Sequence, residues 1–279
     1  MKKSVSLIID KTLTNKTIKE VLLAFSVGKG KIEELRVNKG VFVNDKQVDL
    51  NYVTSLNDKI VFVSEETCVD FIKKDIEVLY EDEDFIAVYK EKGMLVHSDG
   101  TSTPSLINYV SNIVSDHIIY PVNRIDVDTS GIVLFAKHFL SSTSINKMVE
   151  NHELEKIYLL KVKGKLAKKE GKLEFNLGRD RHNAKKMIVN EKSSLKAITY
   201  YEVLKETNEY SLINAKIITG RKHQIRVSFA HINHPLIGDK LYGDKNQSTP
   251  LQLEATYLRF ISPITKKEIV IKTKNYLKR

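Results

Sequence analysis

Apolar residues recur every three or four positions in "KTIKEVLLAF", where Ile18, Val21, Leu22 and Phe25 fall on one helical face. The next stretch, "GKGKIEELRVNKG", predicts a second, lysine-rich helix that stops at Gly40. The period then changes to two. "VFVNDKQV" reads as a strand, an Asn-Asp turn and a return strand, and "LNDKIVFV" closes this small α/β unit over residues 1–64. Residues 65–78 lose both periods and read as a linker, so that a second domain spans 79–279. Its opening, "IEVLYEDEDFIAVYKEKG", sets strand-like runs on either side of an acidic turn, and "TPSLINYVSNIVSD" predicts a helix. A helix and then a strand follow in "SSTSINKMVENHELEKIYLLKVKGKL". "GKLEFNLGRD", "SLKAITYYEVL" and "EYSLINAKI" add strands, and "HQIRVSF" also reads as one, with Gln224 and Arg226 on a single face. Strands outnumber helices, which places the chain in the α+β class with a mixed, largely antiparallel sheet. No repeat of fixed period is present.

Composition narrows the class of protein. The 279 residues are 42% hydrophobic, enough for a sizeable core, and no apolar run approaches the roughly 18–20 residues that span a bilayer. The N-terminal apolar run is broken early by Asp10 and Lys11, so no signal peptide is expected. Cys68 is the single cysteine, which excludes an intramolecular disulfide and any site of several thiolates, and fits a reducing cytoplasm.

The net charge of +10 is unevenly spread. Residues 1–64 carry eleven Lys and Arg against seven Asp and Glu, whereas residues 65–92 carry four against ten. Two basic regions thus flank an acidic connector. A basic surface concentrates polyanions, nucleic acid above all, although a solvated lysine-rich surface gives the same numbers. Lys29, Lys31, Arg36 and Lys39 fall on or beside the second helix, where they could follow a phosphate backbone.

Three stretches could carry chemistry. In "NRIDVDTSGIVLFAK", Thr129, Ser130 and Gly131 turn into an apolar strand, and Gly131 permits close backbone approach or an unusual φ. If the stretch is extended, Arg124 and Asp126 point to one side. An arginine there would keep the carboxylate ionised, as a base or nucleophile must be, but the same spacing suits a buried ion pair. In "EKIYLLKV", Lys156 and Tyr158 share a strand face, so the ring could lie beside a planar ligand or simply fill a core. "IITGRKHQIRVSFAHINHPLIGDKLYGD" is the densest polar stretch, with a turn at Thr219, Gly220 and Arg221. His223, His231 and His234 could hold a metal, but no carboxylate stands at ligand spacing, so no metal is expected. "GKGK" at 28–31 lacks the strand and the Ser or Thr of a phosphate-binding loop.

Together, "NRIDVDTSGIVLFAK", "EKIYLLKV" and "TGRKHQIRVSFAHINHPLIGDKLYG" occur in the order and at the spacings of the RluA-type pseudouridine synthases, which the chain resembles over nearly its whole length. "VLYEDEDFIAVYKEKGMLVH" is similar to that family's domain opening. Residues 14–63, with "NKGVFVNDKQV" and "LNDKIVF", resemble the ribosomal-protein-S-four-like RNA-binding fold.

The resemblance implies an isomerase that converts uridine in RNA to pseudouridine without cofactor or metal. It implies Asp126 as the catalytic aspartate, Tyr158 as the ring that stacks on uracil, and Arg226 as the arginine paired with Asp126. Arg124 then takes the place of the flipped-out nucleotide, and Arg221 with the front-unit cations touches RNA. Large-subunit ribosomal RNA is the expected substrate, with tRNA the alternative, for a cytoplasmic monomer with no membrane partner. Two positions depart from the family pattern: Asn123 stands where His is usual, and Glu254 where many members have His. A non-catalytic RNA-binding or ribosome-assembly factor is the rival reading, and a metal-dependent RNA hydrolase a second.

Overall fold

The computed structural model describes residues 1–279 except 99, 101, 102, 275, 276, 278 and 279. The front unit comprises β1 (Lys2–Ile8), α1 (Ile18–Ala24), α2 (Lys29–Val37), β2 (Val41–Val43), β3 (Lys46–Gln47) and β4 (Lys59–Glu65). Its four strands form a sheet in the order β1-β4-β2-β3. Thr17 and Glu20 close a capping box that starts α1, leaving Ile18, Val21 and Leu22 buried as their spacing predicts.

Gly40 does not stop α2 by a left-handed turn. Lys39 takes the left-handed conformation (φ 51°), with Lys39 N–H donating to Arg36 O and Gly40 N–H to Leu35 O in a Schellman arrangement. Gly40 is needed for another reason: a Cβ there would lie 2.2 Å from Val63 O on β4. Asn44 and Asp45, both at positive φ, make the hairpin turn read from the sequence. The seven-residue β1 was not expected. It alternates buried Val5 and Leu7 with exposed positions and pairs antiparallel with β4 along its whole length.

The remaining elements are β5 (Val78–Glu81), β6 (Phe85–Lys90), α3 (Leu106–Ser111), β7 (Tyr120–Pro121), β8 (Ser130–Ala136), α4 (Phe139–Glu150), β9 (Glu155–Lys163), β10 (Glu170–Arg179), β11 (Met187–Val189), β12 (Lys196–Glu206), β13 (Tyr210–Ile217), α5 (Gln224–His231), β14 (Leu253–Ile261) and β15 (Glu268–Lys272). Nine strands run in the order β11-β10-β12-β13-β9-β14-β8-β6-β5, with β15 added beside β14 and β7 beside β8. Among the described residues the one parallel contact joins β14 to β8, through Glu254–Ser130 and Ala255–Gly131, so the sheet is mixed and largely antiparallel. All seven residues of β8 are buried, because helices cover both sides of the sheet there. Residues of α3 and α5 join one core with Val133, Leu160 and Ile213, while Ile145 of α4 packs on the opposite face with Leu134 and Phe260.

The segment read as strand "HQIRVSF" is the helix α5. Ile225, Val227 and Phe229 alternate in sequence, which imitates a strand. Every position from Gln224 to Phe229 is buried, however, so the helix has no polar stripe to reveal its period.

The front unit is packed tightly on the rest of the chain. Phe139 and Leu140 of α4 sit in its core, Phe139 lies edge-on to Phe62 at 6.3 Å, and Thr143 donates a 2.9 Å hydrogen bond to Phe25 O. Residues 66–77 form no helix or strand but run along α3, held by Val69 N–H to His117 O and Ile72 N–H to Asn108 O. Glu66 fastens the start of this segment, accepting from Ser64, Lys31 and Tyr120.

Candidate active site

A cleft of about 1430 Å³ opens on the face of the sheet that carries α5. Its walls come from loop 121–129, from Lys156 and Tyr158 on β9, from the turn into α5, and from residues 238–251. Asp126 lies on the first wall and Arg226 on the third.

The loop bearing Asp126 is pinned at several points, and each pin has a sequence cause. Asn123 accepts from Leu134 N–H at 2.7 Å and donates to Ile132 O at 3.3 Å, so its amide occupies β8 as a strand neighbour would. This is the structural consequence of Asn at that position: its side chain is spent on the backbone. Lys90, fully buried at the end of β6, donates to Glu91 O, Met94 O and Val127 O at 2.8–2.9 Å. Val127 is the neighbour of Asp126. Burial pushes the Lys90 pKa down to about 8, against the opposing pull of Asp128 and Asp126. Gly131 closes the loop at φ 117°, and a Cβ there would meet Ala255 O at 2.2 Å. Both consequences read from this glycine are present, the close approach and the unusual φ.

Arg226 joins two carboxylates. Its Nε and Nη2 donate to Asp239 at 2.8 and 2.9 Å, a bidentate fork, while Nη1 donates to Asp126 Oδ2 at 3.2 Å. Asp239 is enclosed and accepts two further bonds, from the N–H groups of Leu241 and Tyr242. Burial alone would raise its pKa, but the hydrogen bonds and charge of Arg226 outweigh burial and hold the carboxyl below its usual range. The guanidinium is therefore fixed by Asp239 and presents one remaining edge to Asp126. Oδ1 of Asp126 has no hydrogen bond among the described residues.

His223 completes the ring around Asp126. It caps α5 in the left-handed conformation, with Nε2 3.9 Å from Asp126 Oδ2 and Nδ1 2.8 Å from the Tyr242 hydroxyl. That hydroxyl accepts from Met187 N–H, and burial pushes its pKa up to about 12, so its own proton is free to go to Nδ1. The neutral ring then carries its hydrogen on Nε2, facing Asp126. Burial lowers the His223 pKa, assisted by Arg226 and Lys222 and opposed by Asp126.

Tyr158 is buried on β9, its pKa raised by burial and then by the Asp126 charge, so the hydroxyl stays protonated. Lys156 is on the same strand face, as its spacing predicts. Thr129 Oγ1 is a buried hydroxyl without a partner among the described residues.

Of the residues singled out in the sequence, Asp126, Tyr158, Arg226, Arg124 and Arg221 line this cleft together. Arg124 is exposed and does not pair with Asp126; the carboxylate's arginine is Arg226, a hundred residues away. Arg221 lies on the rim and donates to Lys196 O. Lys29, Lys31, Arg36 and Lys39 are not in the cleft wall. Lys31 is bound to Glu34 and Glu66, and Arg36 to Glu33, which leaves Lys29 and Lys39, on and just beyond that helix, exposed and unpaired among the described residues. The three histidines weighed as metal ligands go to different partners: His231 lies edge-on to Phe175, and His234 contacts Lys163 O. Glu254 is fully buried, accepting from Thr273 and from Leu277 N–H, away from Asp126. Sequence reasoning missed Asp239, Tyr242 and Lys90.

Comparison with known proteins bears on the family and the fold. A family model described as RNA pseudouridylate synthase matches residues 84–231. The chain is 34% identical over 222 residues to tRNA pseudouridine synthase C of Vibrio parahaemolyticus, covering 71% of this chain and 89% of that protein. It is 31% identical over 233 residues to ribosomal large subunit pseudouridine synthase D of Borreliella burgdorferi, covering 79% and 68%. The solved structure of human RNA Pseudouridylate Synthase Domain Containing 1 superposes with a TM-score of 0.62 at 21% identity, over 72% of this chain and 84% of that one, and so shares the fold.

Proposed function

The chain belongs to the RNA pseudouridylate synthase family, isomerases that act on uridines of RNA, and from that premise we propose that Asp126 is its catalytic carboxylate and large-subunit ribosomal RNA its substrate. The observation that carries the first part is the arrangement of Asp126, Arg226 and Asp239. A guanidinium clamped by one buried carboxylate neutralises a second at Oδ2 and leaves Oδ1 open to the cleft.

Isomerisation breaks the bond from ribose C1′ to uracil N1, turns the base, and joins C1′ to C5; the C5 hydrogen leaves as a proton and N1 takes one up, so the formula is unchanged. Asp126 acts on the ribose, either at C1′ or by taking a sugar proton, and both routes need an anion. Because Asp239 fixes Arg226 beforehand, this stabilisation costs no reorganisation during reaction. A uridine must first leave its stack, at a cost of a few kcal/mol. Stacking on the Tyr158 ring offsets about 1–3 kcal/mol of that cost. Exposed Arg124, on the loop just before Asp126, fills the space the nucleotide vacates.

Two features support ribosomal RNA. The relative named for the large ribosomal subunit aligns over a larger share of this chain than the relative named for tRNA, 79% against 71%. The front unit, which resembles an S-four-like RNA-binding domain, holds Lys29 and Lys39 exposed at the two ends of α2, suited to a structured RNA. The test is a map of pseudouridines, by carbodiimide treatment and primer extension, in RNA from cells with and without the gene. Sites lost from large-subunit RNA and restored by the wild-type gene are the expected result. Loss confined to tRNA overturns the substrate assignment, and no loss anywhere favours a protein that binds RNA without turnover.

A further inference from the structure

Lys156 is only 9% exposed as a residue, and its ammonium, which reaches the cleft, makes no hydrogen bond or ion pair among the described residues. Buried charges are ordinarily paired, and leaving one unpaired is costly. Lys90, which is fully enclosed, obeys that rule and holds three carbonyls, whereas the Lys156 ammonium faces the cleft with no protein group to neutralise it among the described residues. Burial lowers the Lys156 pKa, with no carboxylate near enough to offset it.

The position of Lys156 shows what is missing. It stands two residues before Tyr158 on β9, on the same face, and both line the cleft. Two residues of strand span about 6.6 Å, close to the separation of a base from its own phosphate, so a ligand stacked on the ring brings a backbone phosphate near the ammonium. The mouth above it is open for a specific reason. Gly220 lies over Lys156 Nζ, and a Cβ on that glycine would be 3.8 Å from the nitrogen, so any longer side chain there would cover it. Gly220 is exposed and free of a left-handed φ, so the absence of a side chain is not demanded by the backbone. Around the opening stand Arg124, Arg221, Lys222 and Lys240, cations that draw in a polyanion.

We propose that Lys156 and the gap over Gly220 form a phosphate subsite, which receives the backbone phosphate next to the uridine stacked on Tyr158. The proposal rests on the RNA synthase reading above and adds to it a residue that holds the strand. A phosphodiester carries a full negative charge in the ground state and restores neutrality around the ammonium on binding. A uracil oxygen carries such charge only after bond cleavage, so an ammonium kept for it would act on turnover and not on affinity.

The test uses the full-length protein with transcripts of large-subunit ribosomal RNA and of tRNA. Affinity is measured against salt for wild type, Lys156→Met, Lys156→Arg and Gly220→Val, and turnover by tritium release from C5-labelled uridine. Loss of one phosphate contact weakens binding roughly ten- to hundredfold. It also lowers the slope of log affinity against log salt by about 0.7–0.9. Lys156→Met should show both effects, Lys156→Arg should recover the slope, and Gly220→Val should reproduce the loss while its melting temperature stays near wild type. Unchanged slope with slower release would assign Lys156 to the base and overturn the subsite. Unchanged slope and unchanged release would leave an ordinary buried lysine, and overturn it too. If wild type itself releases no tritium, the synthase reading fails, whereas a lowered slope in Lys156→Met would still place the strand at this lysine.

Discussion

Replacing Asp239 by Asn tests whether Arg226, the arginine that donates to Asp126, is held from behind. The Asp239 side chain has no exposed surface, and that of Arg226 is 7% exposed. Asparagine keeps the shape but removes the charge, and turns one of two acceptor oxygens into a donor facing a donor. Removing one partner of a buried ion pair costs about 3–5 kcal/mol. In a unit of this size that corresponds to a fall in Tm of roughly 6–20 °C. Arg226, released from its fork, would swing toward the remaining carboxylate, Asp126, and occupy both of its oxygens. Turnover should therefore fall at least tenfold while RNA affinity stays within a few fold, since neither residue needs to touch RNA. The pH dependence has a defined sign. Because the folded pKa of Asp239 is depressed below 3.8, its stabilisation is present above that value and is lost as pH falls through the folded one. The variant should lack that acid-side loss. Thermal melts from pH 2 to 7 and tritium-release rates below the melting range are the assays. A variant that melts within about 2 °C of wild type and turns over normally would refute the reasoning.

Two further outcomes follow from buried and exposed lysines. Between pH 8 and 10.5 the unfolded chain holds a proton on Lys90 that the folded chain has lost, so stability should rise across that window and the rise should vanish in Lys90→Met; parallel curves for the two proteins would show that Lys90 does not titrate there. Lys29→Glu with Lys39→Glu should weaken RNA binding and flatten its salt dependence without affecting the fold, because neither side chain is paired; an unchanged slope would remove the front unit from the RNA contact. Charge reversal is a cleaner test than deleting residues 1–64, which would strip the cover from Phe139 and Leu140.

How far the sequence carried can be read from particular residues. Asp126, Tyr158 and Arg226 are legible as candidates because long motifs preserve the spacing around them, and Gly131 because a turn into an apolar strand calls for glycine. The pairing of Arg226 with Asp126 came from resemblance, whereas its fork to Asp239 did not. Asp239 lies inside the quoted motif "HINHPLIGDKLYG", but nothing local marks it as enclosed or as the partner of Arg226. Lys90 misleads for a similar reason: "VYKEKG" looks like a solvated strand end, and only the three converging carbonyls reveal a buried ammonium. The helix α5 escaped detection because burial on all sides erases periodicity. The junction between the two units was legible only as a loss of pattern. That Phe139 and Leu140 would leave the second unit to enter the core of the first is a long-range fact, with no signature in the local alternation.

The central claim is that Asp126 performs the chemistry, and Asp126→Asn tests it most directly. The variant keeps the side-chain volume and can still accept a hydrogen bond from Arg226, but it has no carboxylate. Purified wild type and variant would be compared on the same transcript, with RNA affinity measured beside tritium release from C5. Release abolished with affinity held within a few fold of wild type is the predicted result. Near-normal release from the variant would contradict it and remove Asp126 from the reaction.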